Sequence, residues 1–203
     1  MNYNGFDISS NNGSIDWSKV AKQSEDFVMV RASYGKVSKD SRFKSNVAGA
    51  QSAHLQVGAY HYSYAASVAD AQAEAKNFLA AVGGLKLTYP LVYDLEYNST
   101  TAKSTGLWTD MAIAFLSALE KAGYFAMLYS DKNSLINRFD PKRLTPYAVW
   151  VAQWAGANTY PYPYGIWQKS ATGSVAGITG NVDIDVSYHD YAAIIKNAGL
   201  NHL

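Results

Sequence analysis

Two hydrophobic periods alternate along this chain. Short runs that are apolar at almost every position give way to stretches where apolar residues recur every three or four places. The short runs read as strands: Gly5-Phe6-Asp7-Ile8, residues 26–32 (DFVMVRA), residues 55–64 (LQVGAYHYSY), Leu91 to Tyr97, and residues 124–129. In 26–32 the apolar character is continuous, which suits a strand covered on both faces, as in a parallel sheet. Between the runs, residues 16–23, 42–54, 67–81, 107–122 and 131–137 predict helices. Ser67-Val68-Ala69-Asp70 resembles a capping box, and Gly83-Gly84 is a stop signal. Leu107, Met111, Phe115 and Leu119 keep helical spacing up to Gly123. Beyond residue 137 the rhythm changes. Residues 148–153, 165–168 and 182–186 read as strands joined by loops. Five β-α units followed by three strands predict a mostly parallel sheet, and eight strands suffice to close a barrel.

Composition narrows the function. A length of 203 residues supports one sizeable core, and the expectation is one domain over 1–203. A net charge of +1 gives no mark of a nucleic-acid or membrane partner. The absence of cysteine excludes a disulfide scaffold and Cys-ligated zinc. His54, His189 and His202 have no metal-ligand spacing, while His61 points outward by parity and reads as structural. No Gly-rich phosphate loop or nucleophile elbow is present. Neither a metal nor a cofactor is therefore expected. Met1-Asn2-Tyr3-Asn4 carries no Sec-type signal, and no apolar run reaches the ~20 residues of a membrane span. The 16 Tyr and 5 Trp are the unusual feature. Aromatic rings with a polar edge suit sugar faces.

The candidate chemistry lies in Leu91-Val92-Tyr93-Asp94-Leu95-Glu96-Tyr97. Side chains alternate along a strand, so Asp94 and Glu96 point the same way, with Cα atoms ~7 Å apart. Paired carboxyls at the mouth of an apolar strand resist ionisation, and such perturbed pairs cluster at functional sites. Asp7 and the acids near Asp183 also fall at predicted strand ends, where barrel enzymes keep their chemistry. The plain alternative is strand-end acids that cap loop amides.

These pieces together resemble the lysozymes of glycoside hydrolase family 25. Gly5-Phe6-Asp7-Ile8-Ser9 is similar to the family opening, Gly58-Ala59-Tyr60-His61-Tyr62 to its third strand, and Tyr93-Asp94-Leu95-Glu96 to its Asp-x-Glu signature. Val149-Trp150-Val151-Ala152-Gln153-Trp154 and Ile166-Trp167-Gln168 resemble its late strands, and Gly180-Asn181-Val182-Asp183 its closing motif. The resemblance implies an irregular TIM-like α/β barrel, (β/α)5(β)3, with eight strands and about five helices. It implies a catalytic groove lined by Asp7, Asp94, Glu96 and Asp183. Two positions depart from the family. Arg31-Ala32-Ser33-Tyr34-Gly35 stands where Lys-Ala-Thr-Glu-Gly is usual, a departure that bears on the subsite contacts there, with Arg31 and Tyr34 as candidates, and not on the catalytic acids. Asp185 stands where Asn is usual and competes with Asp183 as the fourth carboxyl.

The implied reaction cleaves the β-1,4 bond between N-acetylmuramic acid and N-acetylglucosamine in peptidoglycan glycan strands. Glu96 is expected as proton donor and Asp94 as its ionised partner. The favoured route is retaining with help from the substrate 2-acetamido group, and inversion through a held water stays open. Tyr62, Tyr129 and Trp154 are candidate sugar platforms, or core and rim aromatics. A family 18 chitinase-like hydrolase is the alternative enzyme, although Leu91-Val92-Tyr93 lacks the further acids expected there. A catalytically inactive sugar-binding barrel is the alternative outside catalysis. The remaining expectations are a monomer without a separate wall-binding module. Its delivery would be endolysin-like: synthesis in the host cytoplasm, then action on the wall after membrane permeabilisation.

Overall fold

A computed structural model describes residues 1–97, 100–101 and 104–203. Asn98 and Ser99, just after the acidic stretch, lie outside the described residues. The strands in chain order are β1 (Tyr3–Ile8), β2 (Phe27–Tyr34), β3 (Ser38–Lys39), β4 (Gln56–Tyr62), β5 (Leu91–Asp94), β6 (Ala126–Asp131), β7 (Ala148–Ala152), β8 (Ile166–Gly173) and β9 (Val182–Ser187). The helices are α1 (Trp17–Val20), α2 (Phe43–Ser52), α3 (Val68–Val82), α4 (Thr105–Lys121), α5 (Lys132–Asn137) and α6 (Tyr191–Asn197).

Eight strands close a barrel, and the two-residue β3 adds to the edge of β2. β1, β2, β4, β5, β6, β7 and β8 run parallel in ring order. β9 enters antiparallel between β8 and β1 and completes the ring. The five expected helices are all present, with ends displaced by up to three residues; α4 starts two residues early, at Thr105, and α3 runs one residue further, to Val82. Ser67 caps α3 by accepting from the Asp70 amide at 3.1 Å, and Gly83 ends it with a positive φ of 31°. α6 was not expected. Among the described residues no helix is long and apolar enough to cross a membrane.

Alternation along each strand sorts the side chains into two cores. Outward residues such as Val28, Val30, Tyr93 and Leu128 meet α2, α3 and α4 in the larger one. Phe27, Met29, Tyr60, Val92, Met127, Tyr129, Trp150 and Ile166 fill the barrel itself. Gly5 makes room for this inner packing: a Cβ there would lie 2.5 Å from the Phe27 ring. Phe27 stacks on Tyr89 at 4.7 Å between ring centres. This apolar floor stops short of the C-terminal strand ends, and the polar inward positions begin above it.

His61 points outward from the barrel, as parity requires, but it is fully buried beneath α3 and α4. Its Nδ1 is 2.8 Å from Ser33 Oγ, and its Nε2 is 3.5 Å from Glu74 Oε2. Phe78 and Phe115 lie 5.7 and 5.3 Å away. Burial lowers its pKa, as expected of a structural histidine held neutral.

Candidate active site

The inward positions at the C-terminal strand ends surround a groove of about 360 Å³. Asp7 comes from β1, Asp94 from the last position of β5, and Asp183 from the start of β9. Glu96 follows β5 by two residues. Its place is set by Leu95, whose N–H donates to the Tyr129 carbonyl at 3.2 Å and whose carbonyl accepts from Ser130 Oγ at 2.5 Å. Strand-like bonding to β6 thus continues past the end of β5, and Glu96 keeps the same side as Asp94. All four expected carboxyls line one groove.

The register explains their convergence. Asp7 sits directly opposite Asp183 on the antiparallel pair, while Asp185 sits opposite Gly5, one layer deeper. Asp185 is fully buried and does not line the groove. Its Oδ1 accepts from Trp150 Nε1 at 2.9 Å. Of the two competing carboxyls, Asp183 is therefore the one open to a ligand.

Burial and mutual repulsion push these acids up. Asp7 is raised to about 8, first by burial and next by Asp183, against the lowering effect of hydrogen bonds from Gln168 and Asp185. Asp94 rises well above the usual carboxylate range through burial and the Glu96 charge. Glu96 is raised by burial, while its hydrogen bond from Asp94 pulls the other way. Both carboxyls are thus held toward their protonated forms, and in the ligand-free groove they share a hydrogen bond. Asp183 and Asp185 are also raised by burial.

Arg31 is the one cation that lines the groove among the described residues. Its Nε donates to the buried Asp40 carboxylate at 3.0 Å and its Nη2 to Ser10 Oγ at 3.2 Å, which fixes the guanidinium. It lowers the pKa of Asp94 and offsets part of the crowding. Tyr62 and Trp154 line the groove, and Trp154 is 66% exposed. Tyr129 also lines it, but its ring packs edge-on against Trp150 at 4.5 Å and is buried. It offers an edge and a hydroxyl rather than a free face. Tyr34 does not line the groove. It lies behind the rim, edge-on to Tyr64 at 6.4 Å and beneath the Arg31 guanidinium at 5.3 Å.

Sequence reasoning missed Tyr60, Trp150 and Gln168 as groove residues. Parity held the signal for Tyr60, two positions from Tyr62, whereas Trp150 and Gln168 reach the groove through register with Tyr129 and Asp185. Ser9, Asn11 and Asn12 also reach the groove from the turn after β1, which carried no chemical signature. Among the described residues no cluster of three or more His, Asp or Glu is placed to hold a metal.

The family model for glycosyl hydrolases family 25 matches residues 6–178. Lysozyme M1 of Streptomyces globisporus is 32% identical over 196 residues, a match covering 88% of this chain and 65% of that protein. The chain thus spans just under two thirds of that relative's length. The CTP1L endolysin structure superposes with a TM-score of 0.85 at 26% identity, covering 96% of this chain and 70% of that one. The autolysin LytC from Streptococcus pneumoniae, solved with a synthetic peptidoglycan ligand, superposes with a TM-score of 0.82 at 30% identity, covering 93% and 47%.

Proposed function

This chain belongs to family 25 of the glycosyl hydrolases, and we propose that it is a lysozyme. It hydrolyses the β-1,4 bond between N-acetylmuramic acid and N-acetylglucosamine in bacterial peptidoglycan. The observation that carries this reading is the Asp94–Glu96 pair, hydrogen-bonded to each other and facing Asp7 and Asp183 across one groove.

Glycoside cleavage needs a proton for the leaving oxygen and negative charge beside the developing oxocarbenium ion. Glu96 is the proton donor, because it reaches further out than Asp94 and burial raises its pKa. The hydrogen bond between Asp94 and Glu96 lets the two share a proton. When a substrate acetamide N–H donates to Asp94, that carboxyl is better ionised, and the shared proton sits on Glu96. Asp94 then orients the acetamide, whose carbonyl oxygen attacks the anomeric carbon as the glycosidic bond breaks. Glu96 gives its proton to the departing oxygen. Water opens the cyclic intermediate, returning a proton to Glu96 and giving net retention. Asp7 and Asp183 line the opposite wall, where Asp7, raised to about 8, is mostly protonated near neutrality and offers hydrogen bonding rather than charge.

Purified cell walls provide the test. After digestion, borohydride reduction should convert the new reducing ends to muramitol. Glucosaminitol instead would make the protein a glucosaminidase, and no new reducing ends would leave a sugar-binding barrel. The anomer first formed from a soluble glycan, read by NMR, decides retention against inversion.

A further inference from the structure

One amide joins the two sides of the groove. Gln168 lies on β8, points inward and is 3% exposed. Its Nε2 donates to Asp7 Oδ2 at 2.7 Å. Its Oε1 accepts from Tyr129 Oη at 3.0 Å and from Trp154 Nε1 at 3.0 Å. An indole N–H only donates, so the amide oxygen must face Trp154. That choice turns the NH2 toward Asp7. The amide therefore has a single orientation, dictated by the aromatic side and felt at the carboxyl. Trp154 stands in the loop after β7 with most of its ring in solvent, and this bond to Gln168 anchors its inner edge.

We propose that Gln168 is a positioning residue that couples the sugar platform Trp154 to the Asp7 carboxyl. A pyranose stacking on the indole presses its N–H onto the Gln168 oxygen. Hydrogen bonds in such a chain polarise one another, so the NH2 becomes a better donor to Asp7. Occupancy of an outlying subsite is thereby transmitted to a carboxyl in the centre of the groove. Other charged or titratable groups also face Asp7: Asp183 and Asp185 from β9, Asp94 and Glu96 from β5 and its extension, Tyr60 from β4, Tyr129 from β6 and Arg31 from β2. Gln168 alone among these is hydrogen-bonded both to Asp7 and to Trp154.

The kinetic consequences rest on the lysozyme reading, so the test includes an arm that needs no substrate. The emission of Trp154 is isolated as the difference between a protein and its Trp154→Phe counterpart. In the native protein this signal should titrate with Asp7, midpoint near pH 8, and it should be flat in Asp7→Asn and in Gln168→Met. A titration that persists in folded Gln168→Met overturns the coupling, whatever the protein does to cell walls. On soluble glycan strands, Gln168→Met should raise KM about tenfold, the scale of one or two lost hydrogen bonds. It should also move the Asp7 limb of the pH profile upward, because a donor to that carboxylate is lost. Combining it with Trp154→Phe should add little more to KM, and full additivity counts against the proposal. Should Gln168→Met fail to fold, Gln168→Glu carries the test. It keeps an oxygen for Trp154 and Tyr129 and sets a second carboxyl in place of the amide donor to Asp7, so ionisation of Asp7 is opposed. KM should stay within about twofold of native while the pH limb rises, and a raised KM with an unmoved limb overturns the proposal.

Discussion

In the proposed reaction Glu96 delivers one proton. Glu96→Gln keeps the size and polarity of the side chain and removes the acid. General acid catalysis is worth roughly 10²–10⁴-fold, so turnover on purified walls should fall by at least about a hundredfold, with the melting temperature nearly unchanged. Near-native turnover would take the donor role away from Glu96. Asp94→Asn should be comparably severe while changing the shape of the pH profile, since Asp94 shares the Glu96 proton. Asp183→Asn should impair activity and Asp185→Asn should not, because only Asp183 opens to the groove. A folded Asp185→Asn protein with no activity, beside an active Asp183→Asn protein, would reverse the assignment. The sequence could show that Asp183 and Asp185 share a face, since parity is local. It could not show their depth. Depth comes from the register with β1, where one faces Asp7 and the other Gly5, and register joins residues far apart in the chain. Gln168 escaped notice for the same reason: an amide has no chemical signature until its three partners are brought around it.

The elements were legible where several periods repeat and obscure where few do. α4 offers four turns of apolar spacing: Met111, Phe115 and Leu119 are fully buried, while Leu107 is half-buried and its neighbour Trp108 takes the buried place. α6 has seven residues, too few for the period to rise above chance, although Asp190 caps it through the Ala193 amide at 2.9 Å. The same brevity hides β3. α6 nevertheless closes the floor of the barrel. Tyr191 packs edge-on to Tyr89 at 5.8 Å and to Phe125 at 5.4 Å. Gly165, just before β8, leaves the space for its hydroxyl, and a Cβ there would lie 1.7 Å from Tyr191 Oη. Gly165→Ala should therefore push Tyr191 and α6 outward. Overpacking of this kind costs about 1–3 kcal/mol, so the protein should melt several degrees lower, at ~2–4 °C per kcal/mol for a chain of this size. The pH profile of activity should not move, since Gly165 does not line the groove. An unchanged melting temperature would show that the floor yields without cost.

For the whole molecule, the carboxyl cluster sets how stability follows pH. Asp7, Asp94, Glu96, Asp183 and Asp185 all bind protons more tightly folded than at their ordinary values near 4. Their stabilising contribution is complete below about pH 4 and fades as pH rises through the folded values, about 8 for Asp7. The buried His61 has the opposite sign. Its folded pKa is depressed, so it loses stability as pH falls below about 6.5. Above that point only the carboxyl effect remains. Thermal melting should therefore decline from near neutrality into mild alkali, and Asp7→Asn should melt higher than the native protein there. A native melting temperature that stays level over this range would mean the acids are not strained. The barrel itself followed from the alternation of strand and helix, but the antiparallel entry of β9 did not, because a strand pattern has no direction. That entry also orders events in time. A ribosome releases β1 well before β9, so Asp7 meets Asp183 only after residues 182–187 have emerged. The nascent polypeptide has no assembled groove until β9 is threaded home, and its chemistry stays locked until then by topology alone.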